Sequence, residues 1–112
     1  MEAPYFLFDA NRRYGVNMVK LLAHEPDARR YTLRIDGELA SVVDYAINGQ
    51  SISFHRTYTS PEQRGKGLAA EIVEFAVNDV AESTELHIVP MCWYVGEWFD
   101  QHPDRAGLLT RR

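Results

Sequence analysis

The chain has 112 residues, of which 46% are hydrophobic and 25% are charged, and its formal net charge is −4. This length predicts one small domain, and this composition argues against disorder. The net negative charge argues against nucleic acid as a partner. The absence of a long apolar run argues against a membrane-spanning segment. Cys92 is the single cysteine, which excludes an internal disulfide, fits a reducing compartment and leads us to expect a cytoplasmic protein.

The first part of the chain carries weak signals. Residues 1–3 are expected to be frayed. Residues 5–8 form a short apolar run whose period is ambiguous, and residues 16–23 predict one or two helical turns with a loose apolar face. Pro26 ends any such helix, because it disfavours the α conformation at Glu25.

From Arg30 the hydrophobic pattern changes to a period of two, which predicts strands. Asp36-Gly37 and Asn48-Gly49 are turn pairs typical of two-residue hairpins. They divide residues 30–58 into three alternating segments. The sequence therefore predicts a three-stranded antiparallel meander.

Strict alternation along the third segment divides its side chains between the two faces of a sheet. One face then holds Ile52, Phe54, Arg56 and Tyr58, and the other holds Ser53, His55, Thr57 and Thr59. Arg56 is the one charged residue on an otherwise apolar face. We explain it by a position near the end of the strand or at a site.

A glycine-rich turn and a long amphipathic helix follow the meander. Residues 60–63 are typical of a helix cap, with Ser60 as the acceptor, and predict a single turn. The main helix is predicted to begin near Gly67 and to bury a broad apolar stripe against the sheet. Its acidic residues are expected to face water; they are Glu71, Glu74, Asp79 and Glu82.

The turn before this helix has the features of an anion site. Gly65 and Gly67 allow positive φ angles and a close approach of main-chain N–H groups to a ligand. A helix start is the positive end of a dipole, and Arg64 and Lys66 add charge, so phosphate or diphosphate fits there. The turn lacks the spacing of a P-loop or a Rossmann fingerprint, since Ala70 stands where the latter needs its third glycine. The alternative is a glycine-rich turn that binds nothing.

A short strand, residues 85–89, follows the helix and ends at Pro90. A strand, a helix and a strand in this order predict a right-handed crossover, with the last strand parallel to the third strand of the meander. Ligands of α/β folds bind where such strands separate at their carboxyl ends. A last helix is predicted over residues 92–102, with Leu108 and Leu109 packing back on the domain and residues 111–112 exposed to solvent.

These features together resemble the GNAT N-acetyltransferase superfamily. Residues 64–69, Arg-Gly-Lys-Gly-Leu-Ala, match its R/Q-x-x-G-x-G/A signature. The order of elements over residues 31–109, including the Val-Pro-x-Cys segment, is similar to its minimal single-domain members. The resemblance implies an α/β fold with a mixed sheet, built from an antiparallel meander, a crossover helix, a parallel last strand and a C-terminal helix. Residues 30–112 would then form an acetyl-CoA-binding domain, with residues 1–29 as an N-terminal extension that packs on it or flanks it.

The resemblance also implies an N-acetyltransferase that moves an acetyl group from acetyl-CoA to an unidentified amine acceptor. In the family, the strand before the signature pairs with the pantetheine arm and the loop binds the diphosphate. The cofactor-binding residues implied are Arg56, Thr57, Tyr58, Thr59, Arg64, Gly65, Lys66, Gly67, Leu68 and Ala69. The alternative function is a non-catalytic acyl-CoA-binding or interaction module. A chain this short either exposes its acceptor side or completes it as a homodimer.

Cys92 and His55 are the candidate catalytic residues. Cys92 opens the last helix, whose dipole favours the thiolate. The minimal family has a cysteine here, which implies covalent acetyl transfer through the thiol or a thiol near the bound thioester. The alternative is a buried small hydrophobic residue.

For direct transfer, His55, His87 or a water relay accepts the proton of the amine. The minimal family more often has a His-Thr pair where this chain has Arg56-Thr57, with His55 adjacent on the opposite face. We interpret His24, placed in a loop, and His102, at a helix stop, as structural. No cysteine–histidine cluster has zinc spacing, so no metal site is predicted.

Overall fold

The structure, a computed structural model, describes residues 5–9 and 19–111. Within these residues, six strands form one sheet, in which the order of neighbouring strands follows their order along the chain. The strands are β1 Tyr5–Asp9, β2 Val19–Glu25, β3 Arg30–Ile35, β4 Glu38–Asn48, β5 Ser51–Thr59 and β6 His87–Pro90. Helix α1, Leu68–Ser83, connects β5 to β6, and helix α2, Trp93–Asp100, follows β6. Short 3₁₀ segments span Pro26–Ala28, Pro61–Gln63 and Pro103–Leu109.

Neighbouring strands are antiparallel except for β5 and β6, which are parallel. The predicted meander, crossover helix, parallel last strand and C-terminal helix are therefore confirmed. No helix in the described part of the chain is long and apolar enough to cross a membrane.

The N-terminal region differs from its prediction. Residues 19–25 form β2, which pairs with β1 on one side and β3 on the other, so the helix predicted over residues 16–23 is wrong from residue 19 onward. A short apolar window fits either period, and hydrogen bonding on both sides of β2 decides between them here. Residues 1–3 and 16–18 lie outside the described residues. The domain boundary at residue 30 stays a prediction, and the sheet continues across it.

The core lies between α1 and one face of the sheet. Helix α1 contributes Leu68, Ile72, Val73, Ala76, Val77 and Val80, and the sheet contributes residues such as Tyr31, Leu33, Val43, Phe54 and Ile88. Helix α2 extends this core with Val95, Trp98 and Phe99. Leu108 is buried and Leu109 packs against the same cluster, which confirms that the C-terminal segment folds back on the domain.

Two acidic residues of α1 that were predicted to face water are partly buried and paired. Glu71 forms an ion pair with Lys20 of β2, whereas Glu74 and Glu82 are exposed as expected. Asp79 accepts a hydrogen bond of 2.7 Å from the hydroxyl of Tyr31. A charged residue on the border of the buried stripe reaches a partner on the sheet, which helical periodicity alone does not indicate.

His24 completes the cluster at Asp79, because it lies in β2 and not in a loop. Its Nδ1 is 3.4 Å from a carboxylate oxygen of Asp79, and its Nε2 is 2.6 Å from the hydroxyl of Tyr45. The ring also stacks on Tyr31, with centroids 4.3 Å apart. Burial lowers the pKa of His24, although the charge of Asp79 opposes this, so the imidazole acts as a neutral hydrogen-bonding group.

Arg111 was predicted to be solvent-exposed, but it caps the carboxyl end of α1. Its guanidinium donates hydrogen bonds to the main-chain carbonyls of Val80 at 2.9 Å, Ala81 at 3.3 Å, Leu86 at 2.8 Å, and Thr84. The last carbonyls of a helix lack most of their partners within it, so they are available to this side chain. The carbonyl of Val80 also accepts from the N–H of Thr84 at 3.1 Å and from its hydroxyl at 2.8 Å. The cation also complements the negative end of the helix dipole.

Replacing Arg111 by alanine is expected to lower the free energy of unfolding by about 1–3 kcal/mol, because several carbonyls lose a charged donor. Urea denaturation followed by circular dichroism measures the change. The matched control is Thr110→Ala, at the exposed neighbouring residue, which should leave the midpoint nearly unchanged. Equal midpoints for both variants would contradict the capping role.

Candidate functional site

Strands β5 and β6 separate partway along β5. Their parallel pairing runs from Ser51 opposite His87 to Phe54 opposite Pro90. The N–H of Cys92 then donates to the carbonyl of Phe54 at 2.9 Å, and the chain enters α2. Among the described strands, none pairs with residues 55–59 on this side, so the carboxyl end of β5 has an open edge. Ligands of α/β folds bind at such positions.

A β-bulge interrupts β5 just beyond this point. Tyr45 lies opposite Phe54, but the preceding residue Asp44 lies opposite Arg56, so His55 is an extra residue with no partner in β4. A bulge of this kind bends the strand and redirects the side chains that follow it.

The bulge overturns the predicted division of faces along β5. Thr57 lies opposite the buried Val43, and Thr59 lies opposite Ser41, so both threonines share the face that packs against α1. Arg56 is turned to the other face, where its Nη1 is 2.9 Å from a carboxylate oxygen of Asp44. Arg56 therefore does not interrupt the apolar face, as strict alternation had implied.

Thr57 meets Cys92 across the open edge. Its hydroxyl oxygen is 3.4 Å from the sulfur, which is half-buried at the N-cap of α2. Burial raises the pKa of the thiol, but hydrogen bonding by Thr57 and the nearby N–H groups of Tyr94 and Val95 outweigh burial, and the net pKa is lowered. These two N–H groups do not form a regular cap hydrogen bond, yet at a helix start they favour the thiolate.

The glycine-rich loop lies at the start of α1. Gly65 and Gly67 have φ angles of +83° and +78°, and Gly67 is the N-cap residue. A methyl group added to either glycine would meet no atom within 4 Å, so the space in front of this backbone is open. The first N–H groups of α1 have no partner within the helix. The predicted single turn before the loop is confirmed, but the Ser60 cap uses its carbonyl, 2.9 Å from the Gln63 N–H, and not its hydroxyl.

The charged residues of the loop connect it to the end of β5. The Nε of Arg64 donates to the carbonyl of Thr59 at 3.0 Å, and Lys66 donates to the side chain of Gln63 at 3.1 Å. The guanidinium of Arg64 also lies 6.0 Å from the ring centre of Tyr58. A surface depression of about 400 Å³ extends from the loop toward α2 and is lined by Lys66, Gly67, Ala70, Glu71, Glu74, Trp98 and His102.

The two histidines considered as bases lie differently. His55, at the bulge, is exposed and makes no side-chain hydrogen bond, ion pair or ring contact among the residues described. His87 is half-buried at the amino end of β6, opposite Ser51, and so at the far end of the strand from Cys92. Met91 and Trp93, on either side of Cys92, are 67% and 76% exposed.

The assignment of the loop and Cys92 to a site stays a prediction, and sequence reasoning did not indicate the side chains that contact them. The contact between Thr57 and the sulfur depends on the bulge, whose only signal was the unexpected charge of Arg56. Trp98 and His102 line the depression beside the loop because α2 packs next to α1. The hydrophobic patterns of the two helices, taken separately, do not show this packing.

A family model described as GCN5-related N-acetyl-transferase matches residues 30–108, which is well over half of the chain. The matched range begins at β3 and includes the open edge of β5, the glycine loop and Cys92. No curated protein matches the chain.

Thr57→Val is expected to raise the pKa of Cys92, because the thiolate loses its hydroxyl partner. The rate of alkylation by iodoacetamide, measured against pH, should then reach half its maximum at a higher pH than in the wild type. Thr59→Val is the matched control, since Thr59 bonds Ser41 and not the sulfur. An unchanged midpoint in Thr57→Val would show that the hydroxyl has no influence on the thiol.

Proposed function

The chain belongs to the GCN5-related N-acetyltransferase family, and from this membership we propose that it transfers an acetyl group from acetyl-CoA to an amine acceptor. The observation that carries the proposal is the position of the glycine loop. It lies at the start of α1, next to the open edge of β5, and Cys92 lies at the point where β5 and β6 separate.

The residues present fit the donor molecule. The backbone of residues 65–69 would bind the diphosphate, because the space in front of both glycines is open and a helix start favours anions. Arg64 and Lys66 add positive charge beside it. The open edge of residues 56–59 offers main-chain groups to the amides of the pantetheine arm, as an exposed strand does to an added strand. The donor supplies the activated acetyl group.

Cys92 is the group that we assign to the reacting end. Its lowered pKa increases the thiolate fraction at neutral pH, and the sulfur is only partly buried. As a base, the thiolate takes the proton that the amine loses when its nitrogen attacks the acetyl carbonyl. As a nucleophile, it attacks the acetyl carbonyl to form a thioester, and CoA leaves as the thiolate. The amine then attacks this thioester, the Cys92 thiolate is released, and the proton that the nitrogen loses passes to the CoA thiolate.

His55 is the second candidate base. It is exposed and adjoins the open edge, so it can reach an acceptor or a water molecule in solvent. It has no described partner that would orient its ring or select a tautomer. We therefore place His55 behind Cys92 in the order of testing.

Gly67→Ala is expected to weaken CoA binding at least tenfold, because a methyl group would stand where the diphosphate must approach the backbone. Gly37→Ala is the matched control: its φ angle of +86° imposes similar strain, in the turn between β3 and β4 and away from the loop. Isothermal calorimetry gives both affinities. Equal affinities in two folded variants would remove the loop from the proposed site.

Cys92→Ala is expected to reduce the turnover of acetyl-CoA with an amine acceptor by at least about a hundredfold, with CoA affinity little changed. Release of the CoA thiol, followed over a panel of amines, measures turnover. Mass spectrometry of the wild type after incubation with acetyl-CoA separates the two roles, because only the nucleophilic route adds an acetyl group to Cys92.

One parallel variant and two contrary outcomes complete this test. His55→Ala, made in parallel, shows whether the histidine contributes. Full activity in Cys92→Ala would overturn the assigned role. CoA binding without release of thiol by the wild type, for any amine in the panel, would support the non-catalytic binding module instead.

A further inference from the structure

A buried cation lies beneath the start of α1. Lys20 of β2 is 3% exposed, and its ammonium is 2.9 and 3.1 Å from the two carboxylate oxygens of Glu71. Glu71 is in the first turn of α1, and its N–H donates to the carbonyl of Gly67 at 3.2 Å. The ion pair therefore joins the sheet to the same helix turn that carries the proposed diphosphate site.

The position of Glu71 creates an electrostatic problem for that site. Its side chain lines the depression that begins at Lys66 and Gly67. A carboxylate in the first helical turn is attracted to the positive end of the dipole, which is also what attracts a phosphate. An unpaired Glu71 would therefore both repel a diphosphate and compete with it for the same positive potential.

A gain in the free energy of unfolding does not by itself explain why the ammonium of Lys20 is buried. Removing an ammonium from water is costly, and an apolar pair of similar volume is often as stable as a buried ion pair, or more so. Loss of one partner only is the damaging change, because it leaves the other charge uncompensated. One consequence of Lys20 that the structure does show is the neutralisation of Glu71.

We propose that Lys20 is a positioning residue for the diphosphate of the acyl donor, acting through Glu71. It neutralises this carboxylate and holds it toward the sheet, so that the start of α1 keeps its positive potential for the ligand. Lys20 itself is buried and does not contact the ligand. The inference rests on the proposed binding of CoA at the glycine loop.

The test compares two probes that differ in charge. CoA carries the diphosphate, whereas pantetheine has the same arm and no phosphate. Lys20→Met is expected to weaken CoA binding about tenfold while leaving pantetheine binding unchanged, because only the charged ligand experiences the exposed carboxylate. Lys20→Met/Glu71→Gln should restore the affinity for CoA, and Lys20→Arg, which keeps the cation, should retain it.

A matched control removes another paired cation. Arg30 of β3 pairs with Glu25 at 2.8 Å on the face of the sheet opposite α1. Arg30→Met should therefore leave CoA affinity unchanged. Thermal unfolding of every variant shows how much of any effect is a loss of fold.

The results that would contradict the role of Lys20 differ from those that would contradict the proposed function. An equal loss of affinity for CoA and pantetheine in Lys20→Met, or no recovery in the double variant, would overturn the electrostatic role. If Lys20→Met does not fold, the comparison of Glu71→Gln with the double variant decides: equal CoA affinity supports the proposal, and a further loss overturns it. Absence of CoA binding by the wild type would instead reject the proposed function, and this inference with it.

Discussion

The separation of β5 and β6 after Phe54 and Pro90 determines the rest of the site. The N–H of His87 donates to Gln50, so Val89 and Met91 are the next residues of this segment whose N–H groups face β5. The N–H of Met91 instead turns back to the carbonyl of Val89 at 3.0 Å, which ends the ladder. The N–H of Cys92 takes over with one hydrogen bond to Phe54, and the chain then turns into α2. The open edge of β5 and the placement of the thiol both follow from this one departure.

The bulge at His55 determines which side chains face this opening. Without the extra residue, Thr57 would lie on the far face of the sheet and Arg56 would point at α1. With it, a hydroxyl reaches the sulfur of Cys92, and a guanidinium is directed to solvent and to Asp44. The bulge thus avoids a buried guanidinium at this position, which would lower the free energy of unfolding. In its place it puts a hydroxyl whose hydrogen bond lowers the pKa of Cys92. The separation of β5 and β6 creates the open edge, and the bulge determines which side chains line it.

Much of the architecture could be predicted because its signals are local. Two turn pairs, Asp36-Gly37 and Asn48-Gly49, divide the meander, and the glycines at 65 and 67 indicate the loop before α1. Strand β2 was missed because its apolar window is short and its pairing partners decide its conformation. The bulge was missed because alternation of side chains, read along one strand, contains no information on the register of its neighbour.

The remaining errors share a different cause, which is distance along the chain. Lys20 and Glu71 are separated by 51 residues, Tyr31 and Asp79 by 48, and Arg111 and Val80 by 31. Helical periodicity indicates which side chains border the buried stripe, but not which of them will find a partner. The same separations have a consequence for biosynthesis. The first turn of α1 pairs with Lys20, which is translated well before the helix, and its last turn is capped by Arg111, which is translated after it. Docking of this helix is therefore complete only once residues 20–111 have all been translated. Any earlier intermediate on the ribosome has the contact of the first turn with Lys20 but lacks the cap from Arg111.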